Sequence, residues 1–266
     1  MNKEQMNKQK LFSVVIPNYN SEKWIVRLMD SIVNQTYKNY EVIIVDDISK
    51  DCSLSLIENY LDDNIHLYIN GRKRFNGGTR NAGVEKAKGK YILFIDCDDY
   101  FYSNTAFETI AKIIENENYP DLIRLPYHYL VKGGEGDILL NENTPQKLMT
   151  SVFIAPWTQC IKRELIVDFP ENTLIEDVSW HIEQIDKINT MAVCPVPICV
   201  WNCRNEKSIS NPKNEGKSIK RQASYWRVIA DLMELNGKLD HDYSEDRRIW
   251  RLNNYYQIAK EKLDGI

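Results

Sequence analysis

Residues 90–99 read KYILFIDCDD, and this stretch decides the fold that the sequence predicts. The apolar run at 91–95 is typical of a strand that is buried on both faces of a parallel sheet. Three carboxylates, Asp96, Asp98 and Asp99, follow at once. Carboxylates crowded at a strand end repel one another unless a cation lies between them. Two interpretations stay open: a site for a hard divalent ion, Mg²⁺ or Mn²⁺, or an acidic turn in which Asp99 caps the next helix.

Two further buried strands are predicted at 12–17 and 40–45, and each is followed by a turn and a helix. A weaker strand is predicted at 65–69. Ligands of open parallel sheets bind at the carboxyl ends of the strands, where Tyr19 and Asp47 follow their strands. Tyr19 either stacks on a base or packs on its own helix, and Asp47 is placed to accept hydrogen bonds from a base or ribose. The pattern predicts an α/β fold with a mainly parallel sheet.

The segment 70–81, NGRKRFNGGTRN, combines glycines with cations before a predicted helix. A loop of this kind suits phosphates, because the N-terminus of the helix adds partial positive charge. It matches neither the P-loop nor the dinucleotide-binding motif. The alternative is a solvated basic turn, an interpretation favoured for Arg72, Lys73 and Arg74 more than for Arg80, which belongs to the helix start.

The second half of the chain has a less regular pattern. Residues 122–140 predict one antiparallel hairpin added to a sheet edge, and residues 191–201 predict another hairpin. Glu176 and Asp177 fall in the first turn of a predicted helix, where they serve either as a cap or as a general base. His181 on the same helix has no partner motif, which favours a structural role. Short helices are predicted from residue 144 and, with aromatic faces, beyond residue 217.

Composition excludes several classes of protein. The 266 residues carry a net charge of −4 with no basic stripe, so a nucleic-acid partner is not expected. The six cysteines are expected to be free thiols in a reducing cytosol, since residues 1–10 lack the apolar stretch of a secretory signal and the spacing of Cys194, Cys199 and Cys203 does not suit zinc. No segment is long and apolar enough to predict a membrane span.

Four segments closely resemble family 2 glycosyltransferases of the GT-A fold: SVVIPNYN, QTYKNYEVIIVDD, GGTRNAGVEKAKGKYILFIDCDD and LIEDVSW. The resemblance implies a mixed, mainly parallel sheet flanked by helices and a nucleotide-sugar donor, most often a UDP-sugar. It implies Asp177 as the catalytic base beside Glu176. It implies a metal-binding Asp-x-Asp, in which Asp98 and Asp96 hold Mn²⁺ or Mg²⁺. The donor-binding residues that it implies are Pro17, Tyr19, Asn20, Asp47, Arg80, Asp96 and Arg204.

The resemblance also implies a domain plan and partners. The GT-A domain is expected at 11–212, with a donor half at 11–102 and an acceptor half at 103–212. A polar leader precedes it at 1–10 and a helical extension follows at 213–266. The expected enzyme is inverting and, lacking a Gln-x-x-Arg-Trp motif, non-processive. It works in glycan or cell-surface polysaccharide synthesis on a glycan or lipid-linked acceptor, in the cytoplasm or at the inner face of the membrane. A homodimer contact is expected on the C-terminal helices.

Two residues depart from the family pattern. Ile48 stands where the family usually has Gly, and because a β-branched residue disfavours positive φ, we expect a different loop there. Gln159 replaces a frequent Lys, which weakens any charge contact at that point. A sugar-nucleotide pyrophosphorylase is a weak rival, since its Gly-rich signature is missing. A catalytically silent module that binds nucleotide-sugars is the remaining alternative.

Overall fold

The computed structural model describes residues 9–131, 134–140, 143, 155–171, 176–185 and 187–204. The predictions for the start of the chain, for the helix from residue 144 and for the aromatic helices beyond residue 217 lie outside the described residues. The expected homodimer contact lies outside them as well.

A seven-stranded, mainly parallel sheet forms the centre of the fold. Its strands are β1 (Phe12–Asn18), β2 (Tyr40–Asp46), β3 (Ile65–Ile69), β4 (Tyr91–Phe94), β6 (Leu122–Arg124), β9 (Gln159–Lys162) and β10 (Met191–Val193). They lie in the order β10-β6-β9-β4-β1-β2-β3. All neighbours are parallel except β9, which is antiparallel to both β4 and β6. The predicted mixed, mainly parallel sheet is confirmed.

A smaller sheet of four strands has the order β5-β11-β7-β8. Its strands are β5 (Tyr100–Phe101), β7 (Tyr127–Val131), β8 (Gly134–Ile138) and β11 (Cys199–Asn202). The prediction of one hairpin over 122–140 is wrong in part, because β6 joins the large sheet while the β7–β8 hairpin joins the small one. The hairpin predicted at 191–201 is wrong, since β10 and β11 belong to different sheets. Proline explains both breaks: Pro126, Pro195 and Pro197 lack the N–H that continues a ladder.

Helices cover both faces of the large sheet. They are α1 (Ile25–Val33), α2 (Ser53–Glu58), α3 (Phe75–Lys86), α4 (Ala106–Asn116) and α5 (Glu176–Ile185), with short 3-10 helices at Pro156–Thr158 and Arg163–Leu165. Alternate strand residues face opposite cores, so that Val14 packs in one core and Val15 in the other. Within the described part of the chain, no helix has the length and apolarity to cross a bilayer.

Helix α3 lies very close to β1. A Cβ added at Gly83 would lie 2.4 Å from Val15 Cγ1, so a larger residue at this position would push the helix off the strand. Gly83 therefore sets the short distance between α3 and β1. This close packing also positions Arg80, a buried residue of the same helix.

Candidate active site

Three neighbouring strands end at one edge of the large sheet. The register pairs Asn18 at the end of β1 with Asp46 at the end of β2, and β4 runs parallel on the other side of β1. The loops that follow these strands therefore share one crevice, as expected for a parallel sheet. These loops carry Tyr19, Asp47, Asp96 and Asp98.

Asp47 is buried and its carboxylate accepts several hydrogen bonds. Oδ1 accepts from Asn70 Nδ2 at 2.9 Å and from the backbone N–H of Arg74 at 2.8 Å. Oδ2 accepts from the backbone N–H of Phe75 at 2.9 Å and pairs with Lys73 Nζ at 3.0 Å. Burial alone would raise the pKa of Asp47, but these donors outweigh burial and lower it. Asp47 is thus held as a carboxylate at the start of α3.

Tyr19 is half exposed and its ring carries a cation on one face. Lys73 Nζ lies 2.9 Å from the centroid of the Tyr19 ring. The same ammonium group contacts the side chain of Asp47 and donates to its carbonyl at 3.0 Å. The ring therefore lies beside Asp47, in the loop position that the sequence predicts for a base-stacking residue.

Pro17 and Asn20 shape the loop after β1. Pro17 is buried, and its carbonyl accepts a hydrogen bond from Cys97 Sγ at 3.2 Å, which ties this loop to the acidic turn after β4. Asn20 is exposed, has a φ of 49° and accepts from the backbone N–H of Lys50 at 2.8 Å. Both residues lie at the predicted edge, and both make contacts that join neighbouring loops.

Ile48 corrects the expectation of a different loop. It lies at a φ of 64°, in the left-handed region that glycine would adopt. Asp46 holds the turn by accepting from the backbone N–H of Ser49 at 2.8 Å and from its hydroxyl at 2.5 Å. The turn therefore keeps a positive φ at the position where the family usually has Gly, and the β-branched residue carries the strain.

Arg80 joins the acidic turn after β4 to the start of α5. Its guanidinium is 3% exposed and donates to Asp96 Oδ1 at 2.7 Å and to Glu176 Oε1 at 2.5 Å. Burial opposes the charge, but the two carboxylates outweigh it and raise the pKa of Arg80. The donor contact expected of Arg80 is therefore indirect in this structure, because the guanidinium reaches the crevice only through these carboxylates.

The three carboxylates after β4 have different environments. Asp96 has a side chain that is 31% exposed, and Asp98 is half-buried. Asp99 is buried and accepts from the backbone N–H of Asn202 at 2.8 Å. Burial, with the charges of Asp98 and Asp96, raises the pKa of Asp99 well above its usual value. Asp99 is thus a buried link to β11, which leaves Asp96 and Asp98 as the more exposed acids of the crevice.

Asp96 and Asp98 are the residues that could hold a hard divalent ion together with a ligand. Carboxylate oxygens are the donors that Mg²⁺ and Mn²⁺ prefer. Among the residues that the structure describes, no group of three His, Cys, Asp or Glu side chains is arranged to hold a metal by itself. Two carboxylates with ligand phosphates and water match the way in which Mg²⁺ is usually bound.

The two acids at the start of α5 differ in their contacts. Glu176 is buried and its carboxylate is bound by Arg80. Asp177 is half-buried. Burial, and then the charge of Glu176, raise the pKa of Asp177 to about 7, while Arg80 opposes the rise. A carboxyl group with a pKa near neutrality is suited to exchange a proton, so Asp177 is the better candidate for a base and Glu176 for its support.

Arg204 and Gln159 make contacts away from the acidic pair. Arg204 Nε donates to the carbonyl of Val131 at 3.3 Å on the small sheet. Gln159 is buried on β9, with its side chain 3.4 Å from His181 Nδ1 of α5. The predicted structural position of His181 agrees with its burial.

Sequence reasoning missed three residues of this site. Arg27 of α1 donates to the carbonyl of Asp98 at 2.7 Å, and Asn70 supports Asp47. Lys73 lies on the ring face of Tyr19, a contact that neither the phosphate-loop nor the solvated-turn interpretation predicts. The only signal for Lys73 was its place in the basic run 72–74, which gives a charge but no partner.

The sheet order and the acidic strand ends define the GT-A class of glycosyltransferase folds. The family model described as glycosyl transferase family 2 matches residues 13–151, and the chain belongs to that family. The likeness extends to solved structures. A crystal structure of residues 1–349 of Staphylococcus aureus TarS in complex with UDP-GlcNAc superposes with a TM-score of 0.74 at 23% identity, over 92% of this chain and 71% of that one.

Two relatives differ in how much of their length this chain spans. It is 29% identical over 172 residues to the poly(ribitol-phosphate) β-N-acetylglucosaminyltransferase TarS of Staphylococcus aureus, covering 60% of this chain but 30% of TarS. It is 27% identical over 264 residues to WfgD of Escherichia coli, named a UDP-Glc:α-D-GlcNAc-diphosphoundecaprenol β-1,3-glucosyltransferase. That match covers 95% of this chain and 94% of WfgD.

Proposed function

We propose that this protein is a non-processive, inverting glycosyltransferase that moves a sugar from a UDP-sugar to an acceptor hydroxyl. One observation carries the proposal: Arg80 binds Asp96 at 2.7 Å and Glu176 at 2.5 Å. A single buried side chain thus holds Asp96 close to the helix start that carries Asp177. Sugar transfer needs a diphosphate site and a base within reach of the same reacting carbon.

The proposed roles follow from the contacts. Asp47 and Tyr19 bind the base and ribose of the donor, because the carboxylate accepts hydrogen bonds and the ring offers a stacking face. Asp177 takes the proton of the acceptor hydroxyl while the hydroxyl oxygen bonds to the anomeric carbon. The bond from that carbon to the diphosphate breaks, and the nucleoside diphosphate leaves with the bonding electrons. Attack from the face opposite the leaving group inverts the anomeric centre.

Asp96 and Asp98 would hold a divalent ion, Mn²⁺ or Mg²⁺, together with the diphosphate. The ion would neutralise charge on the departing diphosphate. The buried guanidinium of Arg80 orients the carboxylate of Asp96, whether or not the ion is bound. Arg27 fixes the backbone of the same turn through the carbonyl of Asp98.

The proposed donors are UDP-glucose and UDP-N-acetylglucosamine. The names of WfgD and TarS specify transfer of these two sugars, and the match to WfgD extends over nearly the whole of both chains. The proposed acceptor is a sugar carried on a polyprenyl diphosphate, because that is the acceptor class in the name of WfgD. Such an acceptor would bring the protein to the membrane surface.

The test measures UDP release and product formation with Mn²⁺, the two UDP-sugars and a short-chain GlcNAc-diphosphate lipid. Asp177→Asn is expected to lose acceptor-dependent transfer and to keep UDP binding, because it removes the base but not the donor pocket. UDP binding by calorimetry without release for any pairing of donor and acceptor would support the silent binding module. Equal transfer rates for Asp177→Asn and the unmodified protein would overturn the assignment of the base.

A further inference from the structure

Lys73 lies where a donor base would stack. Its ammonium is 2.9 Å from the centroid of the Tyr19 ring and 3.0 Å from Asp47 Oδ2, so it fills the ring face turned toward Asp47. Stacked carbon atoms need about 3.5–4.0 Å between them. A base on this face and the ammonium group would therefore occupy the same volume, and only one of them can be present at a time.

The other groups around Asp47 do not compete with a base in this way. Asn70 Nδ2 and the backbone N–H groups of Arg74 and Phe75 bind the carboxylate from the chain itself. These donors lie on the carboxylate rather than over the ring of Tyr19. They would hold Asp47 ionised after Lys73 has left, so that the carboxylate stays ready to accept an N–H from a base.

The neighbouring cations of the basic run have their own partner. Arg74 and Arg72 pair with Glu171, Arg72 at 3.6 Å. The side chain of Arg72 is 73% exposed, whereas that of Lys73 is 35% exposed. Each of the three cations thus lies beside an acid of the same chain, Arg72 while largely exposed to solvent and Lys73 and Arg74 while partly buried.

We propose that Lys73 is an internal competitor of the donor base, one that sets the affinity of the protein for nucleotides. The inference deepens the proposed function and rests on it, since it assumes that a uridine nucleotide uses Tyr19 and Asp47. A competitor of this kind lowers the affinity of every base-containing ligand by the same factor, which is the fraction of molecules with the ring face open. If Lys73 instead contacted the ligand directly, its loss would change the affinities for different nucleotides by different factors.

The expected size follows from the contacts that a base must replace. A base must replace the cation–π contact of Lys73 with Tyr19 and its partly exposed ion pair with Asp47. Together these contacts correspond to about a 5- to 30-fold change in nucleoside affinity. Lys73→Met removes the ammonium group and leaves an uncharged side chain that is one atom shorter. It should tighten uridine, which has no phosphate, by this factor, and it should tighten cytidine by the same factor.

Calorimetry with uridine, cytidine and UDP tests the inference, with Arg72→Met as the matched control. Arg72 is the adjacent cation in the same run but contacts neither Tyr19 nor Asp47, so its loss should leave nucleoside affinity unchanged. A second measurement does not depend on affinity. Reductive ¹³C-methylation should give a Lys73 methyl signal shifted upfield by the ring of Tyr19, and saturating uridine should abolish the shift.

The outcomes separate this inference from the proposed function. Equal uridine affinity in Lys73→Met and the unmodified protein overturns the competitor, and weaker affinity in the variant makes Lys73 a donor contact instead. A Lys73 signal without an upfield shift, or one that uridine leaves unchanged, overturns it as well. In these cases sugar transfer persists. If the proposed function itself is wrong, the result is different: neither the unmodified protein nor any variant binds uridine or UDP, and no donor is turned over.

Discussion

Replacing Arg80 by Met is expected to destabilise the protein strongly, because it leaves two carboxylates without the cation that pairs with them. The guanidinium is 3% exposed and binds Asp96 at 2.7 Å and Glu176 at 2.5 Å. Removing one partner of a buried ion pair costs about 3–5 kcal/mol, because the remaining charge keeps its desolvation penalty. Since each kcal/mol shifts the Tm of a domain of this size by about 2–4 °C, we expect a fall of about 6–20 °C.

The loss should be larger at high pH. Arg80 opposes the rise in the pKa of Asp177, so without the guanidinium this pKa rises further above about 7. The folded variant then holds a proton that the unfolded chain, with a carboxyl pKa near 3.9, releases. When the folded state binds more protons than the unfolded state, stability falls as pH rises. The difference in Tm between Arg80→Met and the unmodified protein should therefore be greater at pH 8 than at pH 5.

Thermal unfolding followed by circular dichroism measures both effects. The double variant Arg80→Met with Glu176→Met should recover part of the loss, because it removes one of the stranded charges together with the cation. Lys112→Met is the control, since it breaks an exposed pair with Glu108 and should leave Tm nearly unchanged. A Tm for Arg80→Met close to that of the unmodified protein at pH 8, or a double variant less stable than the single one, would refute the reasoning.

Three further predictions concern single positions. Ile48→Gly should raise the free energy of unfolding by up to about 1 kcal/mol, because relief of about 1–2 kcal/mol of left-handed strain exceeds the entropy cost of glycine; a lower Tm would contradict it. Gly83→Ala should destabilise by about 1–3 kcal/mol, because its Cβ would lie 2.4 Å from Val15 Cγ1, whereas Gly71→Ala meets nothing within 4 Å and serves as control. Asp177 should make kcat/KM fall below about pH 7, since only the carboxylate accepts the proton; a profile that stays flat from pH 7 to pH 5 would exclude it as the base.

The strands and the edge that carries the site were predictable from local sequence. Continuous apolar runs followed by acids identify β1, β2 and β4, and the carboxyl ends of parallel strands necessarily share an edge. The placement of Tyr19, Asp47, Asp96 and Asp98 at one crevice follows from these runs alone. For Asp177, on a helix far along the chain, the sequence left a cap and a general base open, and the resemblance favoured the base.

The contacts of the charged residues were not predictable in the same way. Arg80 and Glu176 are 96 positions apart, and no periodicity reports a pair at that separation. A basic run such as 72–74 shows where charge lies but not which acids bind it, so the contact of Lys73 with Asp47 is not predicted by the sequence. The sequence also does not show that β6 and β7, on either side of Pro126, belong to different sheets. That depends on which strands pair in the folded protein.

Strand β9 has a consequence for how the chain is made. It inserts antiparallel between β4 and β6, so residues 159–162 complete the sheet edge that residues 91–94 leave open. During translation, β4 would emerge well before its neighbour and would present unpaired backbone groups on an apolar strand. Residues 11–102 are therefore not expected to form a separate folding unit, and a fragment ending at residue 102 should aggregate.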